Sequence, residues 1–336
     1  MKVLVIQTAF IGDVILTLPI VQVLKREMPN VVVDFMCIPS TKEILSNNPY
    51  INEVLVYDKR NTGMKGMREI VKEIKKRNYD VIISPHRSFR TSLICFMSGV
   101  KQTISFDISA LSLLYKKAIL YVGNEHEIKR NLHLLEPLDI TESKIIPPEL
   151  FPSDDDKKKV DELLDVFDLE GKKFVCIAPG SIWFTKRYPK EKFANVVNML
   201  EEKGIAVVLI GGEKDKEIGE YIYGKSKKDN VFNVIGKLSL LESAEMIRRA
   251  EVLLTNDSAP LHMANAMGTR VIAIFGATVP EFGFYPYGDG DVIFETKGLK
   301  CRPCSIHGGN KCPIGTFECM MRIDEKDVAG KVEEVI

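Results

Sequence analysis

Short apolar, β-branched runs recur through the first half of the chain with amphipathic stretches between them: VLVIQ (3–7), VVVDFMC (31–37), VLVYD (54–58), DVIISP (80–85) and TISFD (103–107). This alternation predicts a parallel sheet with helices on its faces. A second series repeats the pattern: KFVCIAPG (173–180), AVVLIGG (206–212), VFNVIG (231–236), EVLLTND (251–257) and VIAIFGA (271–277). Between the series, KIIPPELFPSDDDKKK (144–159) joins prolines to a charge run, as a linker leading into a helix cap does. The pattern therefore predicts a domain over 1–152 and a second over 153–323. From Asp324 to Ile336, the helical spacing of Val328, Val332 and Ile336 predicts a closing helix packed on one of them. Each half reads as a Rossmann-like α/β unit, and two such units facing each other create a cleft. Ligands of open α/β sheets bind beyond the carboxyl ends of the strands. The strand-end loops are where chemistry is sought.

Composition supports two packed cores, because 336 residues with 45% apolar content exceed what a single core usually holds. Lys+Arg and Asp+Glu balance at 46 each, so no bulk field draws the chain to nucleic acid, and any anion site must be local. The N-terminus reaches Gly12 and Asp13 before a secretory core accumulates, and no run is apolar for long enough to span a bilayer. The expectation is a cytoplasmic protein. In that compartment seven cysteines argue for thiols or metal ligands before disulfides. Cys37, Cys95 and Cys176 sit in apolar runs and read as small core residues, while the other four fall between 301 and 319.

The loop after the first run, TAFIGDVILTLP (8–19), lacks the G-x-G-x-x-G of a dinucleotide site and carries one glycine, Gly12, followed by Asp13. Asp13 caps a helix beginning near Val14, or it serves chemistry. In TNDSAPLHMANAMG (255–268), Asp257 or Ser258 caps a helix with Pro260 in its first turn and Gly268 at its stop. The alternative is that this helix start, at a strand's carboxyl end, receives phosphate. APGSIWFTKRYP (178–189) places Gly180 and Ser181 for close backbone approach and Lys186 and Arg187 as cations; surface lysines are the plain reading. Glu213 in GGEKD (211–215) stands where a carboxylate holds ribose hydroxyls, or is a first-turn acid. Together these are the parts of a nucleoside-diphosphate site, and the missing G-x-x-x-x-G-K-[ST] loop argues against P-loop hydrolysis. A nucleotide carrying a sugar fits better. Transfer of that sugar needs a carboxylate to take the acceptor's proton and a cation to meet the departing diphosphate, here Asp13 and Lys186 with the helix at 258. Gly12 would then let the acceptor reach the turn.

The motifs GDVILTLP, KRYP after a glycine-ended strand, and TNDSAPLHMANAMGTRVIAIFGAT resemble glycosyltransferase family 9, the lipopolysaccharide heptosyltransferases, over nearly the whole chain. The resemblance implies an α/β GT-B fold, inversion at the anomeric carbon, ADP-heptose as donor on the second domain, and a Kdo–lipid A core as acceptor on the first. It implies Asp13 as base, Lys186 on the donor phosphate, Glu213 on the ribose, and the backbone near Leu238 against the adenine. Asp257, Ser258 and Ala259 would line the diphosphate and heptose, with His262 one helical turn behind or simply packed. Tyr188 departs from the family's frequent tryptophan, a change of packing more than of chemistry. In SPHRSFRTS (84–92), His86, Arg87 and Arg90 would meet acceptor carboxylates and phosphates, or form a plain helix start; one turn of rotation would point Arg90 away. No cofactor is required, and a lipid-borne acceptor implies work at the inner-membrane surface. The segment CRPCSIHGGNKCPIGTFECM (301–320) resembles the branch that adds the second heptose. Its Cys301, Cys304, Cys312 and Cys319 are a candidate structural zinc set, against reduced thiols folding a loop. Rivals are a first-heptose or other sugar transferase, a regulatory nucleotide-binding protein, and a sugar-nucleotide epimerase.

Overall fold

A computed structural model describes residues 1–336, which divide into two compact units, Met1–Phe151 and Pro152–Ile336. In the first, β1 (Lys2–Ile6), β2 (Val32–Cys37), β3 (Glu53–Val56), β4 (Val81–Ser84), β5 (Gln102–Phe106) and β6 (Lys117–Ile119) form one parallel sheet in the order β3-β2-β1-β4-β5-β6. Its helices are α1 (Ile11–Glu27), α2 (Gly63–Arg77), α3 (Phe89–Ser98) and α4 (Glu127–His133). The apolar runs lie in the middle of the sheet because helices cover both faces: Val3, Leu4, Val5 and Ile6 of β1 are all fully buried.

The second unit repeats the architecture. Its strands are β7 (Phe174–Ala178), β8 (Ala206–Leu209), β9 (Val231–Asn233), β10 (Val252–Asn256), β11 (Arg270–Phe275) and β12 (Val292–Glu295). They pair in parallel as β12-β11-β10-β7-β8-β9. Around them run α5 (Asp154–Val166), α6 (Lys190–Glu202), α7 (Lys216–Lys225), α8 (Leu240–Arg249), α9 (Ala259–Met267), α10 (Glu318–Met321) and α11 (Glu325–Val335). In both sheets the first strand is central, the next two build outward on one side, and the fourth crosses to the other side. The order therefore reverses between β1 and β4 and between β7 and β10, the positions where such sheets leave a crevice for ligands.

Local chemistry explains the element ends. Ser153 and Asp156 cap α5 reciprocally, as Ser239 and Glu242 cap α8. Helix α9 has Pro260 in its first turn and stops at Gly268, whose φ of +75° a side chain would resist. Helix α11 buries Val328 and Val332 and is held to α6 by the Lys192–Glu325 pair at 2.7 Å. Two strands lie beyond the apolar runs of the sequence, β6 and β12. Both are sheet edges with few buried side chains, so neither carries the hydrophobic signal of a central strand.

The start of α1 differs from the sequence expectation. It begins at Ile11, not near Val14, so Gly12 is a helical residue and Asp13 sits inside the first turn. The Asp13 carboxylate accepts the Phe10 backbone N–H at 3.1 Å, which draws the preceding residues into the helix.

Candidate functional site

In the first unit the loops leaving β1 and β4 meet at the reversal point. Thr8 follows β1, and its hydroxyl lies 2.9 Å from Nδ1 of His86, which follows β4. The same ring nitrogen is 2.8 Å from Thr91 Oγ1 and 3.3 Å from Ser88 Oγ. Burial, reinforced by Lys59 and Arg87, lowers the His86 pKa to about 3. His86 is therefore a neutral hub that ties the two loops together, and the cationic work falls to its neighbours. Arg87 lies over the Tyr121 ring at 4.5 Å, and Arg90 Nη1 donates to the Lys59 carbonyl at 2.6 Å. The half-buried Lys59 has its pKa lowered by burial and by Arg60 and Arg90, with Asp13 pulling the other way.

Beside this lies a buried ionic cluster that the sequence patterns did not single out. Glu127 pairs with Arg130 at 3.0 Å, and Tyr121 donates to Glu127 Oε2 at 3.4 Å. Arg130 hydrogen-bonds the Tyr121 hydroxyl and lies 4.7 Å from the centre of its ring. Burial pushes Glu127 up to about 7 against the pull of Arg130 and Arg87, and the charge of Asp13 adds to the rise. Asp13 thus stands within electrostatic reach of Lys59 on one side and Glu127 on the other. The available signal was the density of polar residues in HEIKRN (126–131), on a helix whose His126, Glu127, Arg130 and Asn131 are all buried.

The second unit carries opposite chemistry at its reversal point. Lys186, in the 3-10 turn after β7, reaches Asp257 at the end of β10, Nζ to Oδ2 2.6 Å. Asp257 is only 4% exposed and also accepts the Thr278 hydroxyl at 2.6 Å. Asn256 joins the loops: its amide donates to the Pro179 carbonyl at 2.8 Å, and its Oδ1 accepts the Tyr188 N–H at 2.9 Å. Ser258 is the N-cap of α9, but its hydroxyl makes no capping bond and leans back toward Thr255 Oγ1 at 3.4 Å. Ser181 turns its carbonyl to Arg187 Nε at 2.6 Å, and a Cβ on Gly180 would run into the Asp215 carboxylate. Tyr188 is buried, and its hydroxyl donates to the Ile323 carbonyl at 3.0 Å.

Ala259 opens α9 behind this pair, with His262 buried along the same helix. Glu213 is exposed and pairs with Lys216 at 2.7 Å. The tight turn at Gly236, φ +73°, passes close to both, a Cβ there coming within 3.0 Å of Glu213 Oε2. Leu238, two residues on, is half-buried. These four strand-end segments belong to one unit and frame one side of its sheet.

The cysteine-rich segment buttresses this site. Gly309 donates to Thr185 Oγ1 at 2.7 Å and accepts Thr185 N–H at 3.0 Å, next to Lys186. Phe317 stacks on Phe184 at 5.2 Å, and Arg302 donates to the Gly276 and Thr278 carbonyls at 2.6 and 2.7 Å. As for metal, no group of three or more His, Cys, Asp or Glu side chains is placed to hold an ion. Cys301, Cys304, Cys312 and Cys319 are free thiols. Burial pushes Cys319 up to about 11 on α10, and Cys304 turns its thiol to the Cys301 carbonyl at 3.2 Å. The candidate zinc set is therefore not drawn together as a ligand cage, although the other three thiols lie near enough to Cys319 to add to its rise. Cys312 differs: backbone N–H groups of Phe317, Ile314, Gly315 and Thr316 outweigh its burial and lower its pKa.

Known proteins complete the picture. The profile of glycosyltransferase family 9 (heptosyltransferase) matches residues 67–310. Lipopolysaccharide heptosyltransferase 3 of Escherichia coli K12 is 28% identical over 279 residues, covering 80% of each chain. The solved family 9 glycosyl transferase from Veillonella parvula superposes with a TM-score of 0.88 at 22% identity, over 99% of this chain and 96% of that one. The E. coli ADP-heptose lipopolysaccharide heptosyltransferase II superposes with a TM-score of 0.82 at 20% identity, over 100% and 98%. With two Rossmann-like α/β units of the GT-B kind, this chain belongs to glycosyltransferase family 9.

Proposed function

We propose that the chain transfers L-glycero-D-manno-heptose from ADP-heptose to the inner core of lipopolysaccharide, most closely as the enzyme of the second heptose. The observation that carries this reading is the opposed charge at the two reversal points: an acid, Asp13, in the first unit and a cation, Lys186, in the second. An acceptor hydroxyl attacks the anomeric carbon, its proton passes to the Asp13 carboxylate, and the bond from that carbon to the diphosphate oxygen breaks. One displacement inverts the configuration. Lys186 and the first-turn amides of α9 meet the charge that ADP gains, so this reading requires no cofactor. Glu213 takes the ribose hydroxyls, the 236–238 turn borders the adenine, and Asp257 orients Lys186. On the acceptor side, Arg87, Arg90 and Lys59 supply charge for sugar carboxylates and lipid A phosphates, while His86 holds their loop.

The identity to a heptosyltransferase 3 favours a second reading, in which the acceptor already bears two heptoses. Mass spectrometry of Kdo2–lipid A and its mono- and diheptosylated forms after incubation with ADP-heptose separates them. A heptose added only to the monoheptosylated form supports the second-heptose assignment, and one added only to the diheptosylated form supports the other. Addition to the bare form means a first-heptose enzyme; addition to none rejects heptosyl transfer. Consumption of donor without acceptor would mark an epimerase. No helix is long and apolar enough to cross a membrane.

A further inference from the structure

Arg87 is half-buried and fixed at both ends. Its neighbour His86 is tied to Thr8 and Thr91 at 2.9 and 2.8 Å, and its own carbonyl accepts the Ala110 N–H at 3.1 Å. At the far end of the side chain, the guanidinium carbon lies over the Tyr121 ring, 4.5 Å from its centre. The acid of this cluster, Glu127, pairs instead with Arg130 at 3.0 Å. An aromatic face attracts a guanidinium without consuming the N–H fork that a carboxylate or phosphate needs.

Tyr121 is itself held, although it follows the edge strand β6. Its backbone N–H donates to Asp107 Oδ1 at 3.0 Å, and the Phe106 ring packs edge-on against its own with centroids 5.1 Å apart. Arg130 donates to its hydroxyl, which reaches Glu127 Oε2 at 3.4 Å. Arg130 and Glu127 are only 2% and 6% exposed. A buried ion pair contributes little net stability over apolar side chains of the same volume, so stability alone is a weak reason for this one. What the pair does specifically is fix the tyrosine. Asn131 on the same helix donates to the Leu16 carbonyl at 3.0 Å, which seats α4 against α1, the helix that bears Asp13. Ring, arginine and acid thus share one support.

We propose that Tyr121 is a positioning residue for the acceptor: its ring seats the Arg87 guanidinium so that the N–H fork meets an oxyanion of the acceptor sugar, a carboxylate or a phosphate. Glu127 and Arg130 hold the ring and touch no substrate. The molecule that bears the oxyanion rests on the heptosyl transfer proposed above; the seating of Arg87 does not. A long side chain held in its bound geometry before the ligand arrives loses less freedom on binding, so the effect falls on acceptor affinity and not on the chemical step.

The test combines steady-state kinetics on a deacylated, water-soluble acceptor with NMR of the arginine Nε–H groups. Tyr121→Leu raises the acceptor KM by about 3–30-fold, the scale of a lost cation–π contact, while kcat and ADP affinity stay at wild-type values. Tyr121→Phe keeps the ring and most of the affinity. A trifluorinated phenylalanine at the same position keeps the shape, withdraws charge from the ring face and loses the affinity again, which separates the cation–π contact from packing. Arg87→Ala raises KM at least as far as Tyr121→Leu, and combining the two adds nothing. In the spectrum, the Arg87 Nε–H signal is shielded by the ring and moves downfield in Tyr121→Leu, whether or not sugar is transferred. Removing the acceptor's phosphates identifies the oxyanion: a Tyr121→Leu effect that disappears assigns a phosphate, and one that persists assigns a carboxylate. An unchanged KM in Tyr121→Leu, equal KM values for the plain and fluorinated phenylalanines, or additive losses in the double variant overturn the positioning role. A fall in kcat and ADP affinity alongside KM also overturns it, by marking a structural tyrosine. If the wild type transfers heptose to no acceptor while the Arg87 signal shifts as described, the seating stands and the heptosyltransferase reading falls.

Discussion

In the first unit β1 runs almost directly into α1, whose first turn carries Asp13; in the second, β7 runs into a 3-10 turn bearing Lys186, and α6 begins only at Lys190. The strand order is the same, and so is the place where it reverses. The difference lies in how each helix end is treated. Asp13 occupies the positive end of α1 and accepts a backbone N–H there, which fixes a carboxylate acceptor at the carboxyl end of β1. At α9 the cap hydroxyl turns away and leaves the first-turn amides for an incoming anion, with the paired Lys186 and Asp257 beside them. One topology thus serves two chemistries through a few side chains at its reversal point.

Removing the charge at each point separates the two roles. Asp13→Asn keeps a cap acceptor but no base, so kcat falls by about 10²–10⁴ while ADP affinity, read by calorimetry, holds. Turnover near the wild-type rate would dismiss Asp13 as base. Lys186→Ala weakens ADP binding by roughly 10–100-fold, the scale of a lost charge-assisted hydrogen bond, and lowers turnover with it. An unchanged affinity would remove Lys186 from the phosphate site. Thr278→Val deletes one donor to Asp257 and costs about 1 kcal/mol of stability by denaturant titration, with a smaller effect on transfer than Lys186→Ala. A variant as stable as wild type would show that Lys186 alone holds the carboxylate.

The buried cluster of the first unit is tested by pH. Glu127 rises in the folded state from 4.5 to about 7, so between those values the unfolded chain has released a proton that the folded chain retains. The stability it contributes is fully present below pH 4.5 and is lost as pH rises through 7. His86 acts in the opposite sense: lowered from 6.5 to about 3, it contributes above pH 6.5 and less as pH falls. Melting temperatures of Glu127→Gln relative to wild type therefore improve between pH 5 and 8, a window set by the Glu127 values. A flat difference would place Glu127 ionised throughout.

The first two contrasts could be framed from sequence, because strand ends carrying an acid or a cation are local patterns. GDVILTLP and TNDSAPLHMANAMG show Asp13 and Asp257 at the mouths of helices, and Gly268 marks a helix stop by a backbone angle only glycine adopts easily. Their partners were not legible. Asn256 bridging to Pro179, Thr278 reaching Asp257, and Gly309 supporting Thr185 join residues that lie 21 to 124 positions apart. Glu127 was hidden for a related reason, since a carboxylate on a short helix reads as exposed until its surroundings are known.

The sequence by itself determined the two parallel sheets, their helices and the residue types at the strand ends, because hydrophobic periodicity and capping act over a few residues. Only the tertiary structure decided that α1 swallows Gly12 and Asp13, that His86 is a neutral hub, that the four cysteines pack a loop behind Lys186, and that Tyr121 carries Arg87 on its ring. Each of those outcomes depends on hydrogen bonds and burial supplied by distant segments, and no local pattern records which distant group arrives.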